Sequence, residues 1–330
     1  MAEKLLIAEN IKAYYKKGSD YVKAVDDVSL EIYEDEIIGI VGESGCGKTT
    51  LTDVLLMNIL KPLTLIEGSL KFKTEDGYVD IYKMSRKEVK EKYWGIEMAR
   101  IPQASMNALM PTIKIKKYVQ HLARSHNLNP KDLVEKARER FKKVGLKESI
   151  LDMYPFELSG GMRQRAVIAV GTLLDPKLLV ADEPTSALDV VNQKLFLKAL
   201  KQFKEEGIVK SVLFITHDIA TIRQLADRML IMYAGKIAEI GNTEDMVNNA
   251  YHPYSQGLFN SVLTPEPEIK KRGIITIPGA PPNLLEPPKG CRFHPRCHKT
   301  MNICKTKVPP IIELENGRKV SCFLYSEGSK

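Results

Sequence analysis

The sequence predicts an α/β protein built around a parallel sheet, and three observations carry that expectation. Ile37, Ile38, Ile40 and Val41 form a short β-branched run that ends in glycines. From Lys48 onward, Leu51, Val54, Leu55 and Ile59 share one helical face until Pro62 stops the pattern, giving a strand, a glycine loop and a helix. Two further apolar runs, Leu178 to Ala181 and Val212 to Thr216, read as buried parallel strands, each preceded by a helical stretch. Between them and the glycine loop, roughly Ser105 to Leu158 is charged and helical without such strands, which predicts an inserted helical subdomain.

The remaining elements follow in order. Residues before about position 40 read as strands, with Leu30 and Ile32 alternating with polar neighbours. After Thr264 the composition shifts: ten of the 18 prolines lie in the last 66 residues, together with a group of cysteines. That shift places a domain boundary there, with residues 1–264 as the main domain and 265–330 as a small appendage.

Composition sets limits on function. Hydrophobic residues make up 44% and charged residues 27%, so wholesale disorder and fibrous structure are excluded. No stretch approaches the roughly 18 uninterrupted apolar residues of a membrane span. The N-terminal run Leu5, Leu6, Ile7 is too short for the core of a signal peptide, so a cytosolic location is expected. The net charge of +8 is spread among acids along the whole chain and selects no partner. Of five cysteines, four fall in the last 40 residues.

Gly42-Glu43-Ser44-Gly45-Cys46-Gly47-Lys48-Thr49 has the spacing of a phosphate-binding loop. Its glycines let backbone N–H groups turn toward phosphates, and the helix behind adds its unpaired first-turn donors. Lys48 is placed to reach the β and γ phosphates and Thr49 to ligate magnesium; the nucleotide-binding set is Gly42, Ser44, Gly45, Cys46, Gly47, Lys48, Thr49 and Thr50. Downstream, Leu178 to Glu183 is an apolar strand ending in Asp182 and Glu183, as a magnesium ligand followed by a general base requires.

Leu158-Ser159-Gly160-Gly161-Met162-Arg163-Gln164-Arg165, preceding that strand, resembles the signature motif of ATP-binding-cassette proteins, and the order of all three motifs matches too. The resemblance implies a mixed sheet around the phosphate-loop core, an antiparallel β subdomain and the inserted helical subdomain. It also implies the remaining site residues. Gln103 resembles the glutamine that touches magnesium and the attacking water, His217 the switch histidine at the γ-phosphate, and Asp189, in Ser186-Ala187-Leu188-Asp189, the loop that crosses a dimer interface. Ser159, Gly160 and Gly161 would close over the nucleotide of the opposite subunit. Tyr15 is the choice for an aromatic stacked on adenine, with Tyr21 second. Cys46, at a helix start, is expected to be an alkylation-sensitive thiolate protected by ATP.

Cys291, Cys297, Cys304 and Cys322, with five, six and 17 residues between them, suit a metal staple of either iron–sulfur or zinc type. Tyr251 to Leu258, Ile277 to Leu284 and Gly290 to Cys297 resemble the C-terminal extension of dipeptide and oligopeptide importer ATPases. This second resemblance implies a 4Fe-4S cluster on the four cysteines, with zinc as the alternative and His294 and His298 as possible ligands for it. It further implies a second homologous ATPase subunit, two permease subunits, an external substrate-binding protein and a place on the cytoplasmic face of the membrane, with no nucleic acid. Two departures stand out: Ala104-Ser105-Met106 replaces the usual Asp-Pro-Met after Gln103, and Thr49 replaces the commoner Ser. The competing function, a cassette ATPase acting on nucleic acid or ribosomes, lacks the second cassette or long coiled-coil insertion it would need, and stimulation by permease rather than nucleic acid separates the two. A module that binds ATP without hydrolysing it is opposed by Glu183 and His217.

Overall fold

The computed structural model describes residues 3–103, 108–186, 188–261 and 276–326. The expected boundary at Thr264, the run Ala104-Ser105-Met106 and Ala187 lie outside the described residues. The chain forms two compact units: residues 1–5, 33–36 and 83–216 make one, and residues 6–32, 37–82 and 217–330 the other.

The second of these units begins with β1 (Lys4–Lys17) and β2 (Asp20–Tyr33), followed by β3 (Ile37–Val41), α1 (Lys48–Leu55), β4 (Leu63–Thr74) and β5 (Gly77–Asp80). β2, β1, β4 and β5 form a four-stranded sheet, and Val28, Leu30 and Ile32 are buried between exposed or half-buried Asp27, Ser29 and Glu31. The antiparallel pairing of β1 with β4 slips between Glu9 and Ala13, where Asn10 takes φ 51°. Gly68 lets β4 pass that bulge: a Cβ there would lie 2.9 Å from the Ile11 Cα. β3 is buried along its whole length. α1 is shorter than its periodicity predicts, because Met57 adopts a left-handed φ of 54° and ends the helix before Ile59.

The other unit holds α2 (Arg86–Lys92), β6 (Met98–Ile101), α3 (Ile115–Ser125), α4 (Pro130–Lys143), α5 (Gly160–Gly171), β7 (Leu178–Asp182), α6 (Val190–Glu205) and β8 (Ser211–Ile215). β6, β7 and β8 pair in parallel, Ile101 beside Ala181 and Asp182 beside Ile215. Because helices cover both faces of such a sheet, β7 and β8 read as unbroken apolar runs, and both are buried throughout. α3 and α4 are the long helices of the stretch between β6 and α5; α3 buries Ile115, Val119 and Ala123, and α4 buries Leu133, Val134, Ala137 and Phe141. Asn129 caps α4, and Arg140 fastens it by donating to the Thr172 carbonyl at 2.5 Å and to Asp175 at 2.6 Å.

The chain then returns to the unit that contains β3, through α7 (Ile219–Leu225), β9 (Arg228–Tyr233), β10 (Lys236–Asn242), α8 (Thr243–Asn248), α9 (Pro253–Asn260), β11 (Ile312–Glu313) and β12 (Lys319–Val320). β3 pairs with β9 in parallel; β9 with β10, β10 with β12 and β12 with β11 are antiparallel, so the sheet is mixed as expected. Residues 276–326 group with this unit and add two short strands to it. No helix among the described residues is long and apolar enough to cross a membrane.

Phe214 of β8 is fully buried, and Phe156 is largely exposed. Phe214→Ala is therefore expected to lower unfolding free energy by about 3–5 kcal/mol, and Phe156→Ala by less than about 0.5 kcal/mol; urea unfolding of the two variants checks the contrast.

Candidate functional site

The glycine loop leaves β3 at Gly42 and enters α1 at Lys48. Its two ends are too crowded for any side chain: a Cβ on Gly42 would sit 2.3 Å from the Met232 carbonyl oxygen, and one on Gly47 2.1 Å from that of Ala24. Both glycines also take positive φ, 155° and 107°. Between them Ser44 and Gly45 are exposed. No side chain caps α1, so its first turn offers backbone donors and the positive end of its dipole to an anion. Lys48 is buried and curls back over the loop, donating to the Gly42 carbonyl at 2.7 Å and the Glu43 carbonyl at 3.0 Å. Thr49 is exposed and Thr50 buried, the latter 3.1 Å from the Tyr15 hydroxyl. Tyr15 thus stands beside the start of α1, while the alternative, Tyr21, is exposed and tilted on Tyr14. His217 is exposed and directly precedes Asp218, which caps α7.

Cys46 departs from expectation. Its thiol is buried, and burial pushes its pKa up even though Lys48 opposes the shift. Although the thiol sits at a helix start, it turns inward against Gly42, where desolvation outweighs the opposing pull of Lys48.

The acidic residues fall in the other unit, as do Gln103 and the signature motif. Asp182 ends β7 fully buried, with the Arg100 guanidinium 2.8 Å from its carboxylate. Glu183 follows with φ 43°, a costly conformation for a residue with a Cβ; its N–H donates to the Ile215 carbonyl and its own carbonyl accepts from the Ser186 hydroxyl. Gln103 donates to the Glu183 carboxylate at 3.4 Å. Ser159 caps α5 by accepting from the Met162 N–H. Gly160 opens the helix, and Gly161 has no room for a side chain, since a Cβ would lie 2.1 Å from the Asn192 amide oxygen. Asn192 in turn donates to Asp189, the cap of α6, through both its backbone and its side chain, and these bonds hold the Asp189 carboxyl below its usual range. The start of the signature helix thus packs against the residue whose side chain is bonded to Asp189.

Thr49, Asp182 and Gln103 all offer oxygen, the donor type magnesium takes. The cysteines fit their expected metal less simply. Cys291, Cys297, Cys304 and Cys322 line one small cleft, with His252, Phe293 and His294. Burial pushes the Cys291 and Cys322 thiols up to about 11. Among the described residues, however, no three His, Cys, Asp or Glu side chains are gathered in metal-ligating geometry. The metal staple expected from the sequence is therefore not shown.

Several contacts at the site carried no sequence signal: Arg100 on Asp182, Tyr254 on the Glu43 N–H, and Arg296 on the Glu43 carboxylate. Asn192 could have been found, since it stands three residues after an N-cap aspartate.

The ABC transporter family profile matches residues 25–186, and that of the oligopeptide/dipeptide transporter C-terminal region matches residues 238–304. The dipeptide transport ATP-binding protein DppD of Caldanaerobacter subterraneus subsp. tengcongensis is 38% identical over 327 residues, 98% of each chain. The oligopeptide transport ATP-binding protein OppD of Escherichia coli is 37% identical over 325 residues, 98% of this chain and 94% of its own. Among solved structures, the post-hydrolysis dimer of the ATP-binding cassette MJ0796 bound to ADP and Pi covers 72% of this chain and 98% of its own, with TM-score 0.62 and 24% identity. That last likeness is one of fold.

Because its thiol is buried and its pKa raised, Cys46 is expected to resist iodoacetamide at pH 7, equally with and without ATP. Peptide mapping by mass spectrometry reads this directly, and ATP-protected labelling would restore the exposed-thiolate picture.

Proposed function

This chain belongs to the ATP-binding subunits of dipeptide and oligopeptide ABC transporters, and we propose that Lys48 at the phosphates and Glu183 at the attacking water carry its chemistry. It binds and hydrolyses ATP as the ATPase subunit of a peptide importer. The observation that carries the site assignment is Lys48, buried and folded over the loop carbonyls at the head of a helix no side chain caps.

In this reading the loop donors of Ser44 to Thr50 and the Lys48 ammonium hold the β and γ phosphates, and Tyr15 flanks the adenine. Thr49, Asp182 and Gln103 hold magnesium, which neutralises charge on the phosphoryl oxygens when bound. Glu183 orients the attacking water and accepts its proton, with Gln103 fixing the carboxylate and His217 contacting the γ-phosphate. ATP and water become ADP and phosphate. Ser159, Gly160, Gly161 and Asp189 serve the nucleotide of the opposite cassette, and the packing of Gly161 against Asn192, itself bonded to Asp189, supports their acting together. Closure of two cassettes and reopening after hydrolysis transmit the work.

The partners in this proposal are a second, homologous ATPase subunit, two permease subunits at the cytoplasmic face of the membrane, and an external substrate-binding protein reached through them. Residues 1–264 act as the nucleotide-binding domain, with 105–158 as its helical part and 265–330 as the importer-specific extension. A 4Fe-4S cluster on Cys291, Cys297, Cys304 and Cys322, with zinc as the alternative, belongs to the same reading. Its support is that the four thiols line one cleft.

Glu183→Gln is expected to keep ATP affinity while lowering ATP turnover by about 10²-fold or more, measured with the chain assembled on its permease in liposomes. Wild-type turnover stimulated by nucleic acid instead of permease would sink the importer reading. For the extension, protein purified without oxygen should contain about four iron and four sulfide per chain. Zinc would name the other metal, and metal-free protein would remove the cluster.

A further inference from the structure

Glu43 is one of the four positions that the loop motif leaves open, yet its N–H, carbonyl and carboxylate are all held. Its N–H donates to the Tyr254 hydroxyl at 2.9 Å. Its carbonyl accepts from Lys48 Nζ at 3.0 Å and from the Cys46 N–H at 3.2 Å. Both carboxylate oxygens accept from the forked guanidinium of Arg296, at 2.7 and 2.9 Å. Arg296 comes from the C-terminal segment, 253 residues away, and is itself fixed. Its Nε donates to the Pro278 carbonyl at 2.7 Å, it reaches the Tyr233 hydroxyl at 3.2 Å, and its side chain is 6% exposed. The aromatic rings beside it interlock: Tyr233 lies 4.5 Å from Tyr254 and 5.1 Å from Phe293, centroid to centroid.

A second arginine of the same segment reaches the far side of the loop. Arg292 donates to the Ala234 and Lys23 carbonyls and pairs with Asp26. The next residue, Gly235, donates its N–H to the Cys46 carbonyl at 2.8 Å. The strand segment that Arg292 holds continues to Ala24, whose carbonyl presses on Gly47.

We propose that Arg296, through Glu43, is a positioning residue for ATP: the C-terminal segment sets the shape in which the loop meets the β and γ phosphates. The proposal rests on the loop being the nucleotide site. The two-pronged pairing of the buried Arg296 guanidinium with the half-buried Glu43 carboxylate fixes a planar geometry, and removing Glu43 leaves a buried guanidinium without its counter-charge. Catalysis itself does not pass through Arg296. Its effect is on where the loop donors sit, so it should appear in affinity for nucleotides that carry β and γ phosphates and not for AMP.

The test uses the full chain and fluorescent mant-ATP, displaced by ATP, ADP or AMP. Arg296→Ala and Glu43→Gln are each expected to weaken ATP about tenfold or more, and the double variant no further, because they break one interaction. AMP affinity should stay within about twofold. Arg296→Lys, which keeps the charge but not the fork, should fall between wild type and Arg296→Ala. Should Arg296→Ala fail to fold, Glu43→Gln and Arg296→Lys, both of similar size to the original residue, carry the test. Unchanged ATP affinity in these variants, or equal losses for ATP and AMP, would overturn the positioning role while leaving the nucleotide site intact. Wild-type protein that binds no ATP would instead overturn the functional reading beneath it.

Discussion

A loop that presents its backbone donors to phosphate can spend few of them on itself, as the Cys46 N–H does on the Glu43 carbonyl, so it has to be held from outside. This constraint explains much of the unit that contains β3. Gly42 and Gly47 admit the Met232 and Ala24 carbonyls at distances no side chain tolerates. Lys48 gathers two loop carbonyls, and Tyr254 and Arg296 take the polar groups of Glu43. The loop is rigid because its neighbours are, and they come from β2, β9, α9 and the C-terminal segment. Where the donors must be open, at Ser44 and Gly45, the chain is exposed.

The acidic residues meet a related demand differently. Asp182 is a fully buried carboxylate at the end of an apolar strand, a placement too costly to leave unpaired, and Arg100 reaches it from β6. Glu183 then leaves the strand through a left-handed φ, which turns the next carboxylate away from the direction β7 would have given it. Ser186 and Ile215 hold the backbone of that turn. Asp189 and Ser159 both cap helices, which fixes their loops without any tertiary charge pair.

What was legible in the sequence was what local physics decides. The runs at β3, β7 and β8 announced buried strands, and the glycine spacing announced the loop, because burial and backbone freedom leave marks within a few residues. The end of α1 was misplaced because a single left-handed residue, Met57, overrides a periodic face. Cys46 was misread because the rotamer of a thiol depends on what surrounds it, not on its place in the helix. The grip of Arg296 on Glu43 lay beyond reading, since nothing near either residue marks its partner. The cysteines were visible as a group, and their shared cleft agrees with that grouping, but ligand geometry is a matter of side-chain placement that spacing alone does not fix.

The span between Glu43 and Arg296 also has a bearing on biosynthesis. A ribosome makes the glycine loop well before its brace, Arg296 following Glu43 by 253 residues. Throughout that interval the nascent chain carries the whole phosphate-binding motif with its Glu43 carboxylate unanswered. The closing of so long a span has a chain-entropy cost that grows only with the logarithm of its length, so distance is no great barrier to the finished contact. It does order events in time: the Glu43 carboxylate has no Arg296 to meet until the chain has grown past that residue. Under the proposed brace, a chain that has not yet grown past Arg296 would hold nucleotide poorly.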